Sequence, residues 1–128
     1  MNEHQCLLCM GSNTDRSARL SEAREALSSA FPGIHFGELM ETEAIGSGMR
    51  SPFSNQLARF TTTLAPDSVH ELFKKLEQRS GRTPEDKAAG IVKLDIDLLV
   101  VDDKVLKPED MEREYIRRGL RILTLHDY

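Results

Sequence analysis

The sequence predicts an α+β fold with the element order β-α-β-β-α-β and an extra helix and strand at its C-terminal end. Three observations carry this prediction. Short runs with period-two apolar alternation are separated by two longer runs with helical spacing. Gly, Pro, Asn and Asp clusters punctuate the boundaries between them. The length, 128 residues, suits a single domain over residues 1–128, able to bury roughly two-thirds of its unfolded surface without disulfides.

The elements follow in order. Cys6 to Met10 reads as strand one, and Gly11 to Asp15 as a turn. A helix runs from about Ser17 to Ala30, with Leu20, Ala23, Leu27 and Ala30 on one face, and Pro32-Gly33 ends it. Ile34 to Met40 is a second strand with imperfect alternation. Glu41 to Pro52 reads as a loop; its Gly46-Ser47-Gly48 is not a P-loop, because no Gly-Lys-Ser/Thr follows. Phe53 to Leu64 is a third, Thr-rich strand. Pro66-Asp67-Ser68 opens a second helix with the stripe Val69, Leu72, Phe73 and Leu76; Ser68 with Glu71 fits a capping box, and Gly81 stops the helix. Arg82 to Gly90 is a loop leading into a fourth strand. Asp102-Asp103 marks a turn, Pro108-Glu109-Asp110 starts a short third helix, and Leu120 to Leu125 reads as a last strand. This order is that of the ferredoxin-like split βαβ sandwich, in which strands one and four are neighbours and the helices cover one face.

Composition narrows the function classes. The net charge of −4 argues against a general nucleic-acid coat, though not against an anionic small ligand, whose binding depends on local charge. No basic segment followed by an apolar run opens the chain, and no apolar run approaches the roughly 20 residues that span a bilayer. The expectation is a cytoplasmic protein with neither membrane nor nucleic acid as partner. Cys6 and Cys9 have C-x-x-C spacing, but three residues along a strand puts them on opposite faces, roughly 10 Å apart. That exceeds the ~7 Å reach of a disulfide. Two core cysteines are expected.

The fourth strand holds the chemistry. In Lys93-Leu94-Asp95-Ile96-Asp97-Leu98-Leu99-Val100, the residues Val92, Leu94, Ile96, Leu98 and Val100 form one apolar face. Lys93, Asp95 and Asp97 fall on the other. The two carboxylates then stand roughly 7 Å apart on one face. A solvated polar face accounts for them; so does a divalent cation that prefers oxygen ligands.

Several separated segments, in order, resemble the 6-hydroxymethyl-7,8-dihydropterin pyrophosphokinase family of folate synthesis. They are Met10-Gly11-Ser12-Asn13; Thr42, Gly46 and Pro52-Phe53-Ser54-Asn55; Leu64-Ala65-Pro66 with Leu76-Glu77 and Gly81-Arg82; and Leu94-Asp95-Ile96-Asp97-Leu98-Leu99. The resemblance spans about Leu7 to Leu106. It implies transfer of diphosphate from ATP to the pterin's hydroxymethyl oxygen, leaving AMP. It implies two Mg²⁺ ions held by Asp95 and Asp97 around the ATP phosphates, with Arg82 beside them. It implies a pterin site of Thr42, Ile45, Phe53 and Asn55, and ATP contacts from Arg82, Lys87, Leu98 and Arg118.

The chain also differs from the family pattern. The loop before the metal strand, usually rich in arginine and carrying a tryptophan, offers only Arg82, Lys87 and Lys93 as cations, and Glu85-Asp86 adds negative charge. The family's downstream Pro-His segment has no counterpart. Arg113, Arg117, Arg118 and Arg121 are candidates to replace the lost cations, or simply a solvated basic surface. A weakly active or non-catalytic paralogue that binds nucleotide or pterin, and a ferredoxin-like interaction module, remain alternatives.

Overall fold

The structure is a computed structural model that describes residues 3–42, 52–113, 116, 117 and 119, with only the backbone of Lys87. Its fold is mixed α and β, built on an antiparallel sheet. Strand β1 (His4–Ser12) lies at the centre. On one side it pairs with β4 (Phe53–Thr62), on the other with β5 (Asp95–Val101), both antiparallel. Beyond β4 lie β2 (His35–Phe36) and β3 (Met40–Thr42); beyond β5 lies β6 (Lys104–Val105). The first and fourth of the expected strands are therefore neighbours, as β1 and β5.

Helices α1 (Arg16–Ala30) and α2 (Pro66–Arg79) cover one face of the sheet. Leu20, Ala23 and Leu27 of α1, and Val69, Phe73 and Leu76 of α2, pack there on Leu8, Met10, Ile96 and Leu98. Phe31, just past α1, is buried where Ala30 was expected to be; Ala30 is exposed. The other face carries a smaller cluster of Leu7, Cys9, Met40, Leu57, Leu99 and Ile116. The two cysteines split between the faces, both buried and unbridged, as alternation requires. Burial pushes the Cys6 thiol up to about 11 and raises Cys9 as well, with Asp97 adding to the latter. Neither is a thiolate at neutral pH.

Two irregularities break the predicted alternation. Between Phe36 (opposite Ala58) and Met40 (opposite Asn55), the β2–β3 side carries one residue more than β4. The expected single strand is thus two short ones joined by a bulge. Met40 and Thr42 are turned to the face opposite Phe36. In β5 the register slips at Leu99, because Leu8 faces Leu98 while Leu7 faces Val100. Val100 therefore packs with the second cluster and not beside Leu98.

The boundaries show two further corrections. Ala65, not Ser68, is the N-cap of α2, and no side chain caps it. Pro66 takes the first helical position, where a missing N–H costs nothing, and Asp67 complements the helix dipole. The expected loop after Gly81 contains a short helix, α3 (Pro84–Ala88). His4 Nδ1 lies 2.9 Å from Asp102 Oδ2, tying β1 to the turn after β5. Gly81 does end α2, with φ of 90°, a conformation that favours glycine. A helix α4 (Pro108–Met111) follows β6 as expected. The strand expected at Leu120 to Leu125 lies outside the described residues. No described helix is long and apolar enough to cross a membrane.

Candidate active site

The sheet register assembles one row of residues on the face away from α1 and α2. Gly11 of β1 lies opposite Asn55 of β4 on one side and Asp95 of β5 on the other. One step along, Cys9 lies between Leu57 and Asp97. Residues two apart on a strand share a face, so Phe53, Asn55, Gly11, Asp95 and Asp97 all open on the same side. Two strand spacings separate Asn55 from Asp95, roughly 10 Å. The residue between them must be small: a Cβ on Gly11 would meet Asn55 Oδ1 at 2.6 Å.

The acidic half centres on β5. Asp95 and Asp97 are half-buried and close enough to share a hydrogen bond. Burial raises the Asp95 carboxyl above its usual range, and nearby Glu77 raises it further. Burial lifts Asp97 to about 6, with Asp95 the next cause. Glu77 reaches in from α2: its Oε2 accepts the Ile96 N–H at 2.8 Å, and its Oε1 pairs with Arg82 Nη1 at 3.3 Å. Lys107 Nζ lies 3.6 Å from Asp97 Oδ1. Among the described residues no group of three or more His, Cys, Asp or Glu forms a metal cage. The pair still fits Mg²⁺, which takes one or two carboxylates and fills its shell with water and substrate phosphates. Burial opposes the charge on both carboxyls, Glu77 adds to it at Asp95 and Asp95 adds to it at Asp97, a cost that a divalent cation relieves.

The amide half lies across Gly11. Asn55 is buried, and its Nδ2 donates to Thr42 Oγ1 at 3.0 Å. Thr42 pairs in register with Phe53, which is half-buried. The bulge before Met40 is what turns Thr42 to this side. A fixed amide, a hydroxyl and an aromatic ring suit a flat heterocycle with a donor–acceptor edge. Arg16, at the start of α1, binds both flanks of residues 43–51: Glu41 Oε1 at 3.2 Å and Pro52 O at 3.4 Å.

The family model for 7,8-dihydro-6-hydroxymethylpterin-pyrophosphokinase matches residues 7–124. The chain belongs to this family. No individual curated protein matches it. The pyrophosphokinase family comprises transferases of folate synthesis that depend on ATP and Mg²⁺.

The residues singled out from the sequence do not all come together. Thr42, Phe53 and Asn55 come together on one side of Gly11, and Arg82, Asp95 and Asp97 on the other. Leu98 does not join them: its side chain is fully buried in the helix-covered core, on the opposite face. Lys87 falls in α3, and its side chain, like all of Ile45 and Arg118, lies outside the described residues.

The loop expected to face phosphate is held in place by the Gly-Ser-Asn segment. Asn13 Nδ2 donates to Gly90 O at 2.8 Å, and its Oδ1 accepts the Val92 N–H at 2.6 Å. Asp86 does not add free negative charge. Its Oδ2 accepts the Thr83 N–H at 3.0 Å and pairs with Lys93 Nζ at 3.3 Å, and these contacts hold its carboxyl below the usual range. Lys93 also donates to Gly81 O at 2.7 Å, so it braces the loop. Arg113 pairs with Asp110 at 3.3 Å. The sequence reading did not single out Lys107 or Arg16 and gave Glu77 no role. A charge directly before Pro108, at the start of a helix that follows the Asp95/Asp97 strand, was the available signal for Lys107.

Proposed function

We propose that this chain transfers the diphosphoryl group of ATP to the hydroxymethyl oxygen of 6-hydroxymethyl-7,8-dihydropterin. The observation that carries this reading is the Asn55–Gly11–Asp95 row, in which a fixed amide and a carboxylate pair share one face roughly 10 Å apart. The alcohol oxygen bonds to the β-phosphorus, the α,β-bridging bond breaks, AMP leaves, and the alcohol proton passes to solvent. Bound Mg²⁺, two ions by family resemblance, would neutralise the phosphate charge as it redistributes. Asp95 and Asp97 would hold the metal. Glu77 fixes the strand between them through the Ile96 N–H and orients Arg82, whose fork is suited to phosphate oxygens. Thr42, Asn55, Phe53 and Ile45 would hold and orient the pterin. Lys87 and Arg118 would complete the ATP contacts.

The antiparallel order β2-β4-β1-β5, with α1 and α2 on one face, supports the ferredoxin-like topology for the single domain 1–128. ATP as the donor fits a cytoplasmic enzyme. A binding paralogue with little turnover is the second reading. It is favoured by one observation: Arg82 and Lys93 are both occupied by acidic partners.

The test combines turnover with binding. The wild-type chain, given MgATP and the pterin, releases AMP, and Asp95→Ala and Asp97→Ala each lose most of the rate. Asn55→Ala weakens pterin binding about tenfold, the cost of one buried polar contact of ~1–3 kcal/mol, and leaves MgATP binding unchanged. Ligand binding without AMP release selects the paralogue. Binding of neither ligand refutes both.

A further inference from the structure

Lys107 is held at the metal carboxylates by its backbone. The Leu106 N–H donates to Leu99 O at 2.8 Å, which ties the chain after β6 to β5 two residues beyond Asp97. Lys107 comes next, as the N-cap of α4, and Pro108 occupies the first helical turn. A residue before proline is kept out of the helical conformation, and Lys107 sits at φ −129° and ψ 72°, so the base of this side chain has little freedom. Its ammonium does have freedom: the side chain is 44% accessible and touches Asp97 Oδ1 at 3.6 Å. The nearby described cations Arg82, Lys93 and Arg113 pair with Glu77, Asp86 and Asp110. Among the described ion pairs, Lys107 alone contacts a carboxylate of the Asp95/Asp97 pair.

We infer that Lys107 is the resident counter-ion of Asp97 in the metal-free chain, and that it turns to the phosphates of the nucleotide when a divalent cation takes that carboxylate. The inference rests on the pyrophosphokinase reading above. An exposed pair of this length is weak and exchanges readily. An ammonium is a compact charge with rotatable donors, so it moves from a carboxylate to a phosphate without the fixed geometry a guanidinium requires. The exchange would supply one phosphate cation where the loop before β5 supplies few.

The two halves of this role predict effects of opposite sign. In Lys107→Met, calorimetry should find Mn²⁺ bound to the nucleotide-free chain about threefold to fivefold more tightly, because a competing cation is gone. Binding of Mg²⁺ with an ATP analogue bridged by α,β-methylene should weaken about tenfold. Lys107→Arg should recover most of the nucleotide affinity. The melting temperature of the metal-free variant reports folding and should stay within a degree or two of the wild type. If the wild type binds Mn²⁺ and the analogue, and Lys107→Met alters both affinities less than twofold or shifts both the same way, the role of Lys107 is wrong and the family reading stands. If the wild type binds neither, both fall together.

Discussion

Asp97 bears an electrostatic cost that a bound cation would remove. Its carboxyl ionises in a half-buried position beside Asp95, with the half-exposed Lys107 in compensation among the described residues. The folded-state value of about 6 lies above the ordinary 3.8. The folded chain therefore holds this proton more tightly than the unfolded chain, and stability from this group is lost as pH rises through about 6. Asp97→Asn should thus be more stable than the wild type at pH 8 in the presence of a chelator, by about 1–2 kcal/mol, with the gain vanishing near pH 4. Mg²⁺ should raise the wild-type melting temperature and leave that of the variant unchanged. Thermal melts at the two pH values, with and without Mg²⁺, read all of this. At this scale the sequence was informative where strand alternation applies, since a period of two is enough to place Asp95 and Asp97 together. Lys107 was harder to read, because it reaches Asp97 from another element and only its place before Pro108 signals it.

The elements were legible in kind and order, and less so at their joints. Both helical stripes pack as their spacing requires, except that Ala30 at the end of α1 is exposed. The two bulges did not show, because one extra residue changes no composition and shifts the alternation only locally. They matter to the site: without the first, Thr42 would face away from Asn55. The segment after Gly81 reads as a loop by its Pro and charges, yet Asp86 caps and pins it into α3. Asn13 provides the other brace, with two side-chain bonds to Gly90 and Val92. Asn13→Ala should cost about 2 kcal/mol, because it removes the side-chain partner of one buried and one half-buried backbone group. Amide exchange should quicken over residues 88–93 more than in β1 or β4.

At the scale of the whole molecule, the sheet is covered unequally. Among the described residues, two helices pack on one face, while the other divides between a small apolar cluster and the row of site residues. The chain after α4 helps close that second face: Ile116 is buried in its cluster, and a Cβ on Gly119 would meet Met40 Cε at 2.7 Å and Leu57 Cδ1 at 3.0 Å. Gly119→Ala should therefore cost about 1–2 kcal/mol in denaturant titration. It should also weaken pterin binding more than nucleotide binding, since Met40 is the register partner of Asn55. This closure was not legible from composition, because a basic segment with little apolar content reads as solvated surface.

Both halves of the proposed site lead to one chemical outcome, and the identity of the nucleotide product tests it most directly. The wild-type chain is incubated with Mg²⁺, ATP labelled in the adenine, and 6-hydroxymethyl-7,8-dihydropterin, and the products are separated. Diphosphoryl transfer predicts labelled AMP and the pterin diphosphate in equal amounts, with neither formed when Mg²⁺ is chelated. Labelled ADP in place of AMP, or no product from a folded chain that binds both substrates, would contradict it.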